Sequence, residues 1–332
     1  MPAAAHIARR PEGLRSAAAP DAGRSASAPE AGRSATAPSH TSRFAGEDTR
    51  SLALADGRTL SYTLYGAKAG PLVVVLDGPG SRGLARAASP IAAELGIRLV
   101  APDRPGFFAS TPGGSRRIAD WPEDHAALLD ALGEERAGIV SQSGGTPYAL
   151  AAAAALPERV AGLAMLGAMG PMTEPEVLAQ AGKQIRVAAR LSRRAPWLLR
   201  RIFAAGGRQA RRDPEKAAAK TAKHTPPADA KVLADPALLR IHVETSAEIL
   251  TAPPRSLVRE IRLLASPWEV DFARITAPAA FWTGDSDVVH PVPHAQGLAK
   301  RLGGAPVHVV PDAATFGLVP HYGEALRLAA NA

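Results

Sequence analysis

The chain has 332 residues, 46% hydrophobic and 21% charged, enough for a sizeable core in one large domain or two small ones. Lysine and arginine outnumber aspartate and glutamate 39 to 31, a formal net charge of +8, and aromatic residues are only 5%. With no cysteine, disulfides, thiol catalysis and cysteine-ligated zinc are excluded.

Residues 1 to about 48 repeat a nine-residue unit that begins Arg15-Ser16-Ala17 and restarts at Arg24 and Arg33. The unit has no large apolar residue, so it cannot bury enough surface to offset the entropy of ordering. A disordered tail is predicted, with residues 49–332 as the folded domain. Arg9-Arg10 is followed by no apolar stretch of the kind a twin-arginine leader needs. No run approaches the roughly 18 apolar residues of a membrane span. A cytoplasmic protein is expected, with no transmembrane segment.

Order is predicted from near Ser51. Leu52 to Leu54 and Leu60 to Tyr65 flank Asp56-Gly57-Arg58 and read as a strand hairpin. Pro71-Leu72-Val73-Val74-Val75-Leu76 is continuously apolar, as expected of a strand buried on both faces. A helix over about 84–95, a strand over 97–101 and a helix over 122–132 follow. Gly138 to Val140 is a strand, 147–155 a helix and 160–166 a strand. Regular alternation of strand and helix predicts a mainly parallel, doubly wound α/β sheet with helices on both faces. From about 171 to 268 the chain is helical, arginine-rich and broken by prolines. Strand character returns at Ala279 to Trp282 and at Val307 to Val310. A helical insertion between two blocks of sheet reads as a cap over the carboxyl ends of the strands.

One junction carries chemistry. In Ser141-Gln142-Ser143-Gly144-Gly145 a serine is pinned between a strand and an alanine-rich helix, with small residues two positions to either side. This is the pattern of a nucleophile elbow, in which a tight, strained turn presents a serine hydroxyl. A serine so placed needs a histidine base.

The motifs Asp77-Gly78-Pro79-Gly80-Ser81-Arg82, Ala101-Pro102-Asp103-Arg104-Pro105-Gly106-Phe107, the turn at Ser143, and Gly284-Asp285-Ser286-Asp287 recur in this order along nearly the whole ordered chain. On these motifs the chain resembles the α/β-hydrolase superfamily, in particular its bacterial esterase-like and epoxide-hydrolase-like members with a helical cap. The resemblance implies Ser143 as nucleophile, Asp287 as the acid that orients the base, and the N–H groups of Gly144 and Gly78 as oxyanion donors. It implies no cofactor and no metal. The implied ligand is a small apolar ester or other small molecule, and nothing in the basic segments matches a nucleic-acid motif.

Three positions depart from the family pattern. Where the family places its histidine after the last strand, this chain has Ala314-Thr315, and a threonine hydroxyl cannot act as the base near neutral pH. Substitutes in the right part of the chain are His290, three residues after Asp287, and His321, six residues after Thr315; His294 also lies there. Aligned with a one-residue gap, Asp77 replaces the histidine usual in the oxyanion loop; aligned without it, Gly78 supplies the donor and Asp77 stands two residues earlier; either way a negative charge enters a loop meant to stabilise one. Phe108 replaces a small residue and is expected either to narrow the pocket mouth or to pack on the surface. Two readings follow: a serine hydrolase with an incomplete triad and weak or altered hydrolysis, or an inactive relative that binds a ligand or partner.

Overall fold

The computed structural model describes residue 44, residues 46–223 and residues 225–331. The repeat-bearing segment lies almost wholly outside the described residues, as do His6, His40 and His224. Eight strands form one sheet: β1 (Asp48–Ala53), β2 (Thr59–Gly66), β3 (Leu72–Leu76), β4 (Arg98–Pro102), β5 (Ala137–Ser143), β6 (Val160–Ala168), β7 (Ala279–Gly284) and β8 (Val307–Val310). Their spatial order is β1-β2-β4-β3-β5-β6-β7-β8. The β1–β2 and β2–β4 pairs are antiparallel and every other pair is parallel.

The period-2 alternation of the strands divides the core in two. Val74, Leu76, Ile139, Leu163 and Phe281 pack on one face with α2 (Trp121–Leu132), α3 (Thr146–Ala155) and α10 (Val292–Arg301). Val73, Val75, Val140, Leu166 and Trp282 pack on the other with α1 (Gly83–Glu94) and α11 (Tyr322–Asn331). Both faces are covered, which is why these strands read as unbroken apolar runs rather than alternating ones.

Between β6 and β7 lies a helical insertion: α4 (Pro175–Gln180), α5 (Lys183–Arg194), α6 (Pro196–Arg212), α7 (Pro214–Lys223), α8 (Pro236–Thr251) and α9 (Pro254–Leu264). Proline sits in the first turn of α4, α6, α8 and α9, where its missing N–H costs nothing, so the prolines that interrupt the sequence mark helix starts. Two buried ion pairs tie the insertion to the sheet domain. Arg86 of α1 meets Glu248 of α8 at 2.6 Å, and Arg104 meets Glu260 of α9 at 2.7 Å.

Residues at the expected tail boundary near 48 take part in the fold. Asp48 opens β1, and the Glu47 carboxylate pairs with Arg82 (3.1 Å) and Arg86 (2.8 Å). Neither residue is apolar, so hydrophobic patterning gives no sign of them.

Candidate active site

Ser143 ends β5 with φ of 53°, the left-handed region that only a tightly supported turn holds in a residue with a side chain. The support is local. A β-carbon on Gly145 would lie 1.8 Å from the Leu76 carbonyl oxygen, so the start of α3 rests against the end of β3 and admits only glycine. Ser141 is fully buried beside it. Glycine at 145 is therefore required by backbone packing, and the flanking Ser141 is closely enclosed.

His290 is brought to the serine. Its Nε2 lies 2.7 Å from Ser143 Oγ, within the reach of a working general base. The turn that delivers it is built by Asp287, whose Oδ1 accepts the backbone N–H groups of Val289 (2.8 Å) and His290 (2.9 Å). The other oxygen, Oδ2, accepts the hydroxyl of Thr315 at 3.3 Å. Thr315 thus stands beside Asp287, where the family pattern leads one to look for the histidine, while His290 reaches Ser143 from the Asp287 loop. His321 does not join them; its Nδ1 faces Glu324 at 3.5 Å. His294 is buried with Nε2 3.0 Å from the Val177 carbonyl oxygen, and it serves packing in α10.

The acid does not bond the ring it would be expected to orient. His290 Nδ1 is buried and has no hydrogen-bond partner among the described residues. For Nε2 to accept a proton, the ring hydrogen must sit on Nδ1, and nothing there selects that tautomer. Burial pushes His290 down to about 4; the nearby Asp287 charge opposes this and His294 adds to it. At neutral pH the ring is therefore uncharged and free to accept a proton, but it is a weak base.

The oxyanion loop differs from expectation at Gly78. A β-carbon there would lie 3.9 Å from Ser143 Oγ, so the residue is in place, but its N–H donates to Asp77 Oδ1 at 2.6 Å. The donor assigned to Gly78 is engaged by the neighbouring carboxylate, and Pro79 has no N–H to replace it. Gly144, next to the nucleophile, packs against Leu264 and Pro79. Asp77 is held by two further donors, Ser81 Oγ (2.5 Å) and the Leu84 N–H in the first turn of α1 (2.9 Å). Removing the carboxylate has two opposed consequences. Asp77→Ala is expected to raise ester turnover about tenfold by freeing a donor and removing a negative charge. The lost contact at the helix start should cost about 1 kcal/mol of stability. Initial rates and denaturant melts on the same preparation check both signs.

Arg104 was visible only as a motif letter, yet it braces the loop. Its Nη1 and Nη2 donate to the carbonyl oxygens of Asp77 and Gly78, each at 2.8 Å, and its Nε donates to Glu260 Oε1 at 2.7 Å. The second Glu260 oxygen accepts the Tyr148 hydroxyl of α3 at 2.9 Å. Burial, with the Glu260 charge beside it, pushes the Tyr148 phenol well above its usual value, so it stays a donor. Glu260, the partner that completes this brace, is buried in α9.

Ser143, His290, Thr315 and Asp77 all line a cavity of about 270 Å³. Leu84, Ile241, Ile249 and Phe316 supply apolar wall, and Thr245 and Ser246 of α8 supply hydroxyls. A larger chamber of about 950 Å³ lies among α6, α7 and α8; it shares His242, Ser246 and Ile249 with the first but contains none of the reacting groups. Phe108 does neither of the things expected of it. It is buried, lies 3.9 Å from the Arg82 guanidinium, and packs with Phe107, Ala252 and Leu257 under the insertion. Its φ of 47° keeps the glycine-like conformation of the position it occupies.

Known proteins agree with this architecture. Residues 71–225 match the family profile described as the alpha/beta hydrolase fold. An alpha/beta hydrolase fold protein from Nakamurella multipartita superposes with a TM-score of 0.60 at 24% identity, over 85% of this chain and 98% of that one. Among curated proteins, a 2-hydroxymuconate semialdehyde hydrolase of Pseudomonas putida is 41% identical over 75 residues, 22% of this chain and 27% of that protein. A haloalkane dehalogenase of Bradyrhizobium diazoefficiens is 36% identical over 121 residues, 35% of this chain and 38% of that protein. The matched stretches thus span well under half the length of these curated relatives. Fold and family profile together define the class: the chain has the α/β-hydrolase fold. No helix among the described residues is long and apolar enough to cross a membrane.

Proposed function

We propose that the protein is a serine hydrolase of small apolar esters or related acyl compounds, slow because its base is relocated and unoriented. The observation that carries this reading is the 2.7 Å approach of His290 Nε2 to the hydroxyl of Ser143, a serine held at φ 53°. Ser143 Oγ attacks the acyl carbonyl, His290 Nε2 takes its proton and returns it to the leaving alcohol, and water then releases the acid by the same exchange. Asp287 acts at one remove, shaping the turn that carries the base. The helical insertion, residues 171–268, is the cap that closes the cavity, whose 270 Å³ favours a small acyl group. The cytoplasm is the proposed location.

A fluorophosphonate probe is expected to label Ser143 in the folded protein and to leave Ser143→Ala unlabelled. Failure to label the wild type would count against an activated serine and in favour of a second reading, a ligand-binding relative without turnover. That reading draws on the Gly78 N–H being bound to Asp77 rather than open to an oxyanion.

The pH dependence should bear the mark of the buried base. With His290 lowered to about 4, the neutral form persists well into acid, and the acid limb of kcat is expected near pH 4 rather than near 6.5. Stability moves in the same range. The unfolded state binds a proton near 6.5 and the folded ring only near 4, so stability declines as pH falls between those values. Initial rates paired with circular dichroism separate the two, and an acid limb near 6.5 in folded protein would exclude His290 as the base.

A further inference from the structure

We propose that the outer face of α5 and α6 is a docking surface for an anionic lipid bilayer. Residues 183–212 contain ten lysines and arginines and no acidic residue, more positive charge than the whole chain's net +8. The remainder of the chain is therefore slightly acidic, and the basic character of the protein is concentrated in these two helices. The same face exposes large apolar side chains: Trp197 is 58% exposed, Ile202 49%, Val187 45% and Leu198 37%. On α6, Trp197, Leu198, Arg201 and Ile202 share the solvent side, and Leu199 and Ala210 are buried behind them. On α5, Val187, Arg190 and Arg194 repeat the mixture at spacings of three and four, with Ala189 and Ser192 buried.

Charge and apolar exposure together select the partner. A nucleic acid satisfies the arginines but gives isoleucine, leucine and valine no reason to be exposed. A second copy covers the apolar residues but sets ten positive charges against ten. An anionic bilayer accommodates both, drawing the arginines to its headgroups and admitting the tryptophan and aliphatic side chains at the interface. The helices lie in the insertion whose α8 lines the catalytic cavity, so a bilayer held there would lie against the insertion that roofs the site.

The test is co-sedimentation of the full chain with vesicles of phosphatidylcholine alone or mixed with phosphatidylglycerol. Binding is expected to the mixed vesicles only and to weaken with salt. Both Trp197→Ser/Ile202→Ser and Arg200→Glu/Arg201→Glu should reduce it by about tenfold or more. Trp197 is also a private reporter. The other three tryptophans, Trp121, Trp268 and Trp282, are buried. Brominated lipid should therefore quench wild-type fluorescence and leave Trp197→Phe unaffected. Any one of three results overturns the proposal: equal binding to both vesicle types, no binding to either, or binding lost on charge reversal but indifferent to Trp197→Ser/Ile202→Ser. The last, with matching affinity for duplex DNA, would reassign the surface to nucleic acid. Self-association abolished by Trp197→Ser would reassign it to a second copy.

Discussion

The double variant Thr315→His/His290→Ala should hydrolyse a p-nitrophenyl ester about a thousandfold faster than the wild type. A serine hydrolase whose orienting acid fails to hold the base in the right tautomer loses about 10⁴ in turnover. The wild-type arrangement has this defect, because Asp287 bonds Thr315 and two backbone N–H groups, and His290 Nδ1 has no partner among the described residues. A histidine at position 315 starts beside Asp287 Oδ2 and on the wall of the cavity that holds Ser143, so one ring can meet both. Removing His290 clears the place the new ring must take, and imperfect seating is expected to cost about one of the four decades. Steady-state rates give the answer; an unchanged rate in a folded double variant would shift the defect to the oxyanion loop.

His290→Ala alone should lower turnover about a hundredfold. The figure is smaller than the millionfold loss that removal of a fully oriented base can cause, since groups that act as a unit are not additive and most of that advantage is already missing. Thr315→Ala, by contrast, removes one hydroxyl from Asp287 and should change the rate by less than about threefold. The pair of variants distinguishes a base at position 290 from one elsewhere. If Thr315→Ala were the damaging change, the hydroxyl, not the ring, would be the functional group.

Much of this architecture was legible because burial leaves a mark in the sequence. β3 to β7 are covered on both faces and show as apolar runs, and the elbow shows because backbone contact with Leu76 forces glycine at 145. Asp287 was legible as a residue after a strand end. The choice between His290 and His321 was not, since it depends on which way a turn throws its third residue. That direction is set by the Asp287 carboxylate accepting two particular N–H groups, a contact no periodicity encodes. The engagement of Gly78 was illegible for the same reason: whether Asp77 turns outward or back onto the next N–H is a matter of rotamer. Glu47 and Phe108 were hidden differently. Their partners are Arg82, just before α1, and Arg86 within it, distant in sequence, and polar or aromatic residues in loops carry no pattern until those partners are known.

The Arg104 brace limits how freely this scaffold can exchange parts. Its guanidinium is buried, with its countercharge supplied by Glu260 from the insertion and two further acceptors by the carbonyl oxygens of Asp77 and Gly78 in the loop beside Ser143. A chimera that keeps the sheet domain but borrows a cap without an acidic residue at that point would leave a buried cation unpaired, a penalty of about 3–5 kcal/mol. Insertion and loop are thus a physically matched set, and transplanting the insertion requires Glu260, or an equivalent carboxylate, to travel with it.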